Sequence, residues 1–259
     1  MENSDRPLHG APYPRTRLHP RLYLAELVGT ALLVSIGLSI VILCFGAAKP
    51  DAQWVLSAPV RRAIAGALFG TTGTLITLSP VGLISGAHIN PAVTLAFWLS
   101  GKLRWRDALG YGLAQFAGAL LGACPLLAWG PRGASVQFGA TSVGENVGTF
   151  AALGGEVIAT AALILAIFVT SAHRSTRQLT PWTMAPLFAW LVWWEAPLSG
   201  ASANPARSFG PAVVSGAWHE FWIYLVGPAI GVLLALLILR AGALGHHEVK
   251  VARLYHFDL

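Results

Sequence analysis

Long apolar runs alternate with short polar segments along this chain. Six runs approach the roughly 20 residues that a helix needs to cross a bilayer. They cover about 22–45, 61–80, 107–129, 148–171, 182–198 and 219–240. Two shorter apolar runs, about 90–100 and 204–215, each begin at the tripeptide Asn-Pro-Ala. At about 1.5 Å per residue, each would cross only half of a bilayer. The pattern predicts six spanning helices and two half-length helices.

Composition supports a membrane protein. Of the 259 residues, 55% are hydrophobic and 11% are charged, and the mean hydropathy is +0.61. A soluble domain has about 25% charged residues. The two cysteines, Cys44 and Cys124, lie in apolar runs, so we expect neither a disulfide framework nor a metal site. The basic residues flank the apolar runs instead of forming one cluster, which argues against a nucleic-acid partner.

The basic residues are distributed unevenly between the two sides of the predicted spans. With the N-terminus in the cytoplasm, twelve Lys and Arg fall inside and four outside, and Arg207 lies within the membrane. Cytoplasmic loops carry such an excess of positive charge. The count predicts that both termini are cytoplasmic. We therefore expect tails at 1–21 and 242–259, with a membrane domain at 22–241.

The two halves of the chain repeat each other. The segments "AELVGT" and "WRDALGY" in the first half match "GEVIAT" and "WHEFWIY" in the second. The Trp–Tyr segments are 113 residues apart and the tripeptides 114. Each half has three spans, an odd number, so the repeats at about 22–130 and 148–241 must be inverted. Short interrupted segments at matching places of inverted repeats point to a site at mid-membrane.

The tripeptides Asn90-Pro91-Ala92 and Asn204-Pro205-Ala206 are helix starts. Asn is a favoured N-cap, and Pro is favoured at the first helical position. The irregular backbone before them is tolerated at membrane depth only in a protein interior or along a water-filled cavity. We expect two half-helices to meet at their N-termini, with the Asn amide donors directed into a lumen. Their positive helix ends would repel cations.

Three charged residues lie within the predicted membrane domain near these starts. Arg207 stands one turn into the second half-helix, where facing lipid would cost several kcal/mol. It is therefore expected to face the lumen. Glu26 and Glu156 occupy matching places in the first and fourth spans. They could accept hydrogen bonds from the irregular backbone, or they could carry protons.

The doubled motif resembles the aquaporins, the major intrinsic protein family, over essentially the whole chain. The segments that carry the resemblance are "AELVGT", "SGAHINPAVT" and "SGASANPARSFGP". The resemblance implies a passive channel in the plasma or bacterial inner membrane, assembled as a homotetramer with one pore per subunit. Neither the sequence nor the resemblance suggests an enzyme, a cofactor or a metal.

The resemblance also implies roles for individual residues. Arg207 would be the outer selectivity-filter arginine, while Glu26 and Glu156 would brace the irregular loops, with Gln115 as a further donor. His88 could be a pH switch or a ligand, but because no partner His or Cys accompanies it, we expect it to brace its loop. Passing water molecules would donate hydrogen bonds to a series of backbone carbonyls, those of Gly86, Ala87, His88, Gly200, Ala201 and Ser202.

The other filter positions depart from a strict water pore. The second-span position counts to Gly70, or to Phe69 if the following loop holds one extra residue. The fifth-span position, usually His in water pores, is Val192, and the loop position is Ala201. Such a filter would be wider or more apolar. We predict water conduction without ions or protons and leave small uncharged solutes open. A glycerol facilitator and an ion- or proton-coupled transporter are the alternatives.

Overall fold

The computed structural model describes residues 18–47, 56–172 and 175–242. Within these ranges the chain forms ten α-helices and no β-strand. The helices are α1 (Pro20–Phe45), α2 (Ala58–Leu78), α3 (Pro80–Ser85), α4 (Pro91–Leu99), α5 (Trp105–Ala123), α6 (Gly130–Ala134), α7 (Thr149–Ala172), α8 (Met184–Ser199), α9 (Pro205–Ser215) and α10 (Ile223–Arg240). Short 3-10 turns lie at Cys124–Trp129, Gln137–Gly139, Arg177–Leu179 and Pro181–Thr183.

The predicted architecture is confirmed. The six long helices α1, α2, α5, α7, α8 and α10 coincide with the six apolar runs, within a few residues at each end. The half-length helices α4 and α9 begin at Pro91 and Pro205, as the two tripeptides predict. The short helices α3 and α6 were not expected from the hydrophobic pattern.

Four of the described helices are long and apolar enough to cross a membrane: α1, α7, α10 and the segment Trp105–Ala134 that begins with α5. Helix α8 has only 16 residues, and α2 contains two arginines and four threonines. The threonine hydroxyls of α2 bond to backbone carbonyls within the helix, as Thr72 does to Leu68 at 2.9 Å. Helices α2 and α8 also pack closely, since a side chain at Gly66 would overlap the Phe188 carbonyl. The two less apolar helices are thus neighbours.

Each half-helix is buried among long helices of the other repeat. In α4, Val93, Ala96 and Phe97 form one core cluster with residues of α7 and α10. In α9, Gly210 lies against the backbone of α5, where a Cβ would overlap the Ala119 carbonyl oxygen. The repeats therefore interlock at the centre, which fixes the two helix starts relative to each other.

The described basic residues divide between the two ends of the bundle. At the start of α1, the Tyr23 hydroxyl and the His19 ring contact the Asp107 carboxylate of α5, at 2.7 and 2.8 Å. At the end of α1, Arg61 and Arg132 donate to backbone carbonyls. The first end carries Arg21, Lys102, Arg104, Arg106, Arg177 and Arg240, and the second carries Arg61, Arg62 and Arg132. This division supports the predicted orientation.

Part of the charge count falls on residues whose placement is not described. These are Arg6, Arg15, Arg17, Lys49, Arg174, Lys250 and Arg253. Most of the predicted tails, 1–21 and 242–259, also lie outside the described residues. The outer surface of the described helices carries many large apolar side chains, such as Leu113 and Leu237, each 65% exposed. A surface of this kind fits the lipid bilayer as its surroundings.

Candidate functional site: a pore between two helix starts

Both half-helices start with the same cap. The side-chain oxygen of Asn90 accepts a hydrogen bond from the Ala92 N–H at 2.8 Å. That of Asn204 accepts from the N–H groups of Ala206 and Arg207, at 3.1 and 3.3 Å. These contacts satisfy helix N–H groups that have no partner inside the helix. Each asparagine is thus an N-cap, and the proline after it is the first helical residue.

The two caps are also joined to each other's loops. The side-chain amide of Asn90 donates to the Ala203 carbonyl at 2.8 Å, and that of Asn204 donates to the Ile89 carbonyl at 3.0 Å. An amide has two N–H donors. The expectation that both would point into a lumen is corrected, because each asparagine uses one donor to hold the opposite repeat. One N–H of each remains for a passing molecule.

The loops before the caps, called the first loop (86–89) and the second loop (200–203), have an unusual backbone. Left-handed φ values occur at three matching pairs: Gly86 and Gly200, Ala87 and Ala201, Ile89 and Ala203. Positive φ is uncommon outside glycine and is an outlier for a β-branched residue such as Ile89. Each such residue costs about 1–3 kcal/mol unless its surroundings hold it. The loops therefore need external support.

Glu26 supports the first loop. Its two carboxylate oxygens accept hydrogen bonds from the N–H groups of His88 and Ile89, at 2.9 and 2.6 Å. Gln115 donates to the same carboxylate at 2.7 Å and to the Thr94 hydroxyl at 2.9 Å. Glu26 and Gln115 are fully buried. An acid in α1 and an amide in α5 thus hold the strained loop together.

Glu156 supports the second loop in the same way, with different neighbours. It accepts from the N–H groups of Ser202 and Ala203, both at 2.8 Å. The Ser199 hydroxyl lies 2.5 Å from Glu156 and 2.5 Å from a second buried acid, Glu195. Sequence reasoning missed Glu195. The signal was present, because an acidic residue inside an apolar span is rare and marks a specific interaction.

Two tyrosines and a histidine complete the support of the loops. The hydroxyls of Tyr111 and Tyr224 donate to the carbonyls of Ser85 and Ser199, at 2.7 and 2.8 Å, just before the two loops. The His88 ring is buried and contacts the Thr94 hydroxyl at 3.2 Å. The matching Trp–Tyr segments of the sequence marked the tyrosines as a repeat, but the spacing alone did not reveal their function.

Two cavities meet at the centre of the bundle. The inner cavity, about 370 Å³, is lined by the first loop, both cap asparagines and, at the end of the bundle that carries Arg21, by Arg177 and Thr180. The outer cavity, about 480 Å³, is lined by 135–137, 139–140, Ser142 and the start of the second loop. Phe69 and Phe188 line both cavities, and their rings pack 5.6 Å apart. They mark the narrow region between the two spaces.

The proposed filter residues gather at the outer cavity. Phe69, Val192, Ala201 and Arg207 all line it. Gly70 lines the inner cavity only. Of the two alternatives left by residue counting, Phe69 is the one that shares a cavity with Arg207.

Arg207 is held in place by the loop before α7. It is 6% exposed, and its guanidinium donates to the Gly139 carbonyl at 2.8 Å. The nearby rings of Trp190 and Trp193 are each half exposed on the outside of α8, so Val192 is the side chain of that stretch that faces the outer cavity. Arg207 is thus a buried, fixed cation on a wall whose other charged residue is Arg62.

Comparison with known proteins agrees with this geometry. The family model described as "Major intrinsic protein" matches residues 15–239.

The chain belongs to the major intrinsic protein family.

Individual relatives of this major intrinsic protein cover most of its length. It is 34% identical over 238 residues to aquaporin TIP2-3 of Arabidopsis thaliana, covering 90% of this chain and 91% of that protein. It is 34% identical over 223 residues to the lens fiber major intrinsic protein of Gallus gallus, covering 84% and 79%. The crystal structure of the aquaglyceroporin from Plasmodium falciparum shares the fold, with a TM-score of 0.68, 18% identity, and coverage of 85% and 94%.

Two further expectations for this major intrinsic protein concern the second loop and metals. Gly200 and Ala201 line the outer cavity, whereas Ser202 is not among the residues that line either cavity. The Ser202 hydroxyl contacts the Ser208 hydroxyl at 2.5 Å. The role of the Ser202 carbonyl as an acceptor for water stays a prediction.

In the described part of the chain, no group of three His, Cys, Asp or Glu residues could hold a metal ion.

Proposed function

We propose that this protein is a passive channel that conducts water and excludes ions and protons. The observation that carries the proposal is the meeting of two capped helix starts at the wall of the inner cavity, which shares Phe69 and Phe188 with the outer cavity. Asn90 and Asn204 each keep one amide N–H free of the protein bonds described above. A water molecule at this position can accept hydrogen bonds from both amides and donate to the loop carbonyls.

The same geometry opposes the passage of cations. The N-terminus of a helix carries about half a positive charge, and two such ends face each other here. Arg207 adds a full charge on the wall of the outer cavity. In a narrow, weakly polar passage these charges act at low dielectric, where a unit charge interacts far more strongly than in water. Neutral molecules meet no such barrier.

The buried acids do not favour a proton-coupled transporter. Glu26 and Glu156 each use both carboxylate oxygens to hold loop N–H groups. Neither is among the lining residues of the inner or the outer cavity. Their bonds support the bracing role, and the family consists of channel proteins, so we also propose no enzymatic activity.

The solute range depends on the filter. Val192 and Ala201 offer neither a hydrogen-bonding side chain nor much bulk, and Phe69 supplies one apolar wall. We infer that the outer filter is less polar than that of a strict water pore. Small uncharged solutes then become a second class of permeant, with water as the main one.

Stopped-flow light scattering on proteoliposomes tests this function. Water flux after an osmotic step should exceed that of protein-free liposomes several-fold. Uptake of glycerol, urea and ammonia should be measured on the same vesicles, and glycerol should enter more slowly than water does. Glycerol uptake as fast as water flux would assign the protein to the glycerol facilitators. Water flux equal to that of protein-free liposomes would overturn the channel proposal.

We further propose a homotetramer in the cell membrane, plasma or bacterial inner, with both termini in the cytoplasm. The proposal rests on the family resemblance and on the division of basic residues between the two ends of the bundle. Mass measurement of the protein in lipid nanodiscs tests the oligomer, and a mass of one subunit would contradict it. Protease accessibility of terminal tags in sealed vesicles tests the orientation.

A further inference from the structure

The second repeat contains a pair of buried acids that the channel function does not require. Glu156 on α7 and Glu195 on α8 are both fully buried. The Ser199 hydroxyl oxygen lies 2.5 Å from Oε1 of each carboxyl group. Gly155 makes room for this contact, because a Cβ there would lie 2.6 Å from Oε1 of Glu195. Three oxygen atoms are thus held in a row.

The number of protons in this row is limited. A serine hydroxyl has one hydrogen to donate. It can bridge to one carboxyl group only, so the second short oxygen–oxygen contact needs another proton. That proton must come from one of the two carboxyl groups. Two ionised carboxylates sharing one hydroxyl would also repel each other strongly in a buried site.

The surrounding contacts decide which carboxyl group carries the proton. Glu156 accepts two backbone N–H bonds, from Ser202 and Ala203, one at each oxygen. Glu195 interacts with one backbone N–H, that of Ala201, and its Oε2 makes no direct hydrogen bond among the described residues. Ionised carboxylates are stabilised by N–H donors, whereas an ionised oxygen without a donor is costly to bury.

The charged groups nearby lead to the same assignment. Within the described part of the chain, Arg207 on α9 is the cation that interacts with both acids, and Tyr224 on α10 is the other titratable group that faces them. One guanidinium can balance one carboxylate. A second negative charge would remain uncompensated.

We propose that Glu195 is a neutral carboxylic acid that donates its proton to Ser199, which in turn donates to the Glu156 carboxylate. Glu195 then acts as a positioning residue. It holds the hydroxyl that anchors Glu156, and Glu156 holds the second loop beside Arg207. The relevance of this relay to permeation rests on the proposed function, but the protonation state does not.

The first repeat gives a physical parallel. There the neutral amide of Gln115 donates to Glu26 at 2.7 Å. The position that matches Glu195, 114 residues earlier, is Val81. Glu26 also interacts with the side chain of Ser85, which matches Ser199, so the repeats differ in the further polar neighbour: Gln115 beside Glu26, and Glu195 beside Glu156. A protonated acid and an amide are alike in this respect, since each is uncharged and can donate a hydrogen to a neighbouring oxygen.

Infrared spectroscopy in lipid, combined with Glu195→Gln, tests the assignment. The difference spectrum between the wild type and Glu195→Gln should contain the C=O stretch of one protonated carboxylic acid, shifted in D₂O. The difference spectrum between the wild type and the control Glu145→Gln, which changes an exposed acid, should lack this band. Absence of the band in the wild type would overturn the proposal. Because the spectrum does not depend on flux, a failure of water conduction leaves this result interpretable.

Permeability then tests the positioning role. Glu195→Gln should keep water flux close to the wild type, because the amide can donate to Ser199. Glu195→Ala should lower it several-fold and lower the thermal stability. If Glu195→Ala does not fold, the flux of Glu195→Gln decides alone. Loss of flux in Glu195→Gln, despite normal folding, would show that the acid acts as an anion and would overturn the proposal.

Discussion

The first and second loops follow nearly the same backbone path but are surrounded by different side chains. Matching features include the left-handed residues, the glutamate that accepts two loop N–H groups and the tyrosine that donates to the preceding carbonyl. The cap asparagines even exchange equivalent bonds, to Ala203 and Ile89. The shared features are those that hold strained backbone.

The differences lie where the loops meet the passage. Val93 packs in a core cluster and presents an apolar side chain to the inner cavity, whereas Arg207, its counterpart 114 residues later, places a charge on the wall of the outer cavity. His88 in the first loop corresponds to Ser202 in the second. Duplication thus supplies the scaffold twice, while the arginine at this position is present in the second repeat only. Each prediction below changes one side of this comparison.

Removing either brace should have the largest effect. Glu26→Ala and Glu156→Ala each leave two loop N–H groups buried without acceptors, at about 1–3 kcal/mol per group. The sum is a large part of the 5–15 kcal/mol that typically stabilises a domain. Both variants should unfold at clearly lower temperature and yield little folded protein, as followed by thermal unfolding in detergent.

The exposed Glu145→Ala is the control for this pair and should behave as the wild type. A wild-type unfolding temperature for only one of the two brace variants would show that the repeats are not held alike. That outcome would contradict the claim that Glu26 and Glu156 support their loops in the same way.

Converting the second repeat toward the first should change selectivity. Arg207→Val places at 207 the residue that stands at 93, and removes the charge from the outer cavity. We expect water flux to be kept and cation or proton leak to rise at least about tenfold, which corresponds to about 1.4 kcal/mol. Leak is measured with a pH-sensitive dye in proteoliposomes under an imposed potential. Val93→Ala is the matched control. An equal leak in both variants would contradict the role of the Arg207 charge in excluding cations and protons.

The smallest effect on basal flux should come from cysteines at matching loop positions. Ala87 lines the inner cavity and Ala201 the outer one. In a background without Cys44 and Cys124, either Ala→Cys change should leave water flux nearly unaltered. A membrane-impermeant thiol reagent added outside should then block Ala201→Cys and spare Ala87→Cys. Block of Ala87→Cys by the reagent added outside would contradict the assignment of Ala87 to the inner cavity.

Much of this arrangement follows from local sequence rules, and some of it does not. The half-helices could be predicted because Asn-Pro is a strong start signal on its own. Phe69 and Gly70 could not be separated by counting, because counting does not show which of two neighbouring side chains shares a cavity with Arg207. Glu195 could not be assigned because its role depends on Ser199 and Glu156, which are joined to it only by the tertiary fold. The cross-repeat bonds of the asparagines were unpredictable for the same reason.

The most direct test measures water and proton flux in the same wild-type proteoliposomes. An osmotic step is followed by light scattering, and a pH step is followed by a trapped dye, with protein-free liposomes as the reference. The account predicts that water flux rises several-fold while proton flux stays at the level of the protein-free liposomes. A rise of proton flux in step with water flux would contradict a passage guarded by two helix starts and Arg207.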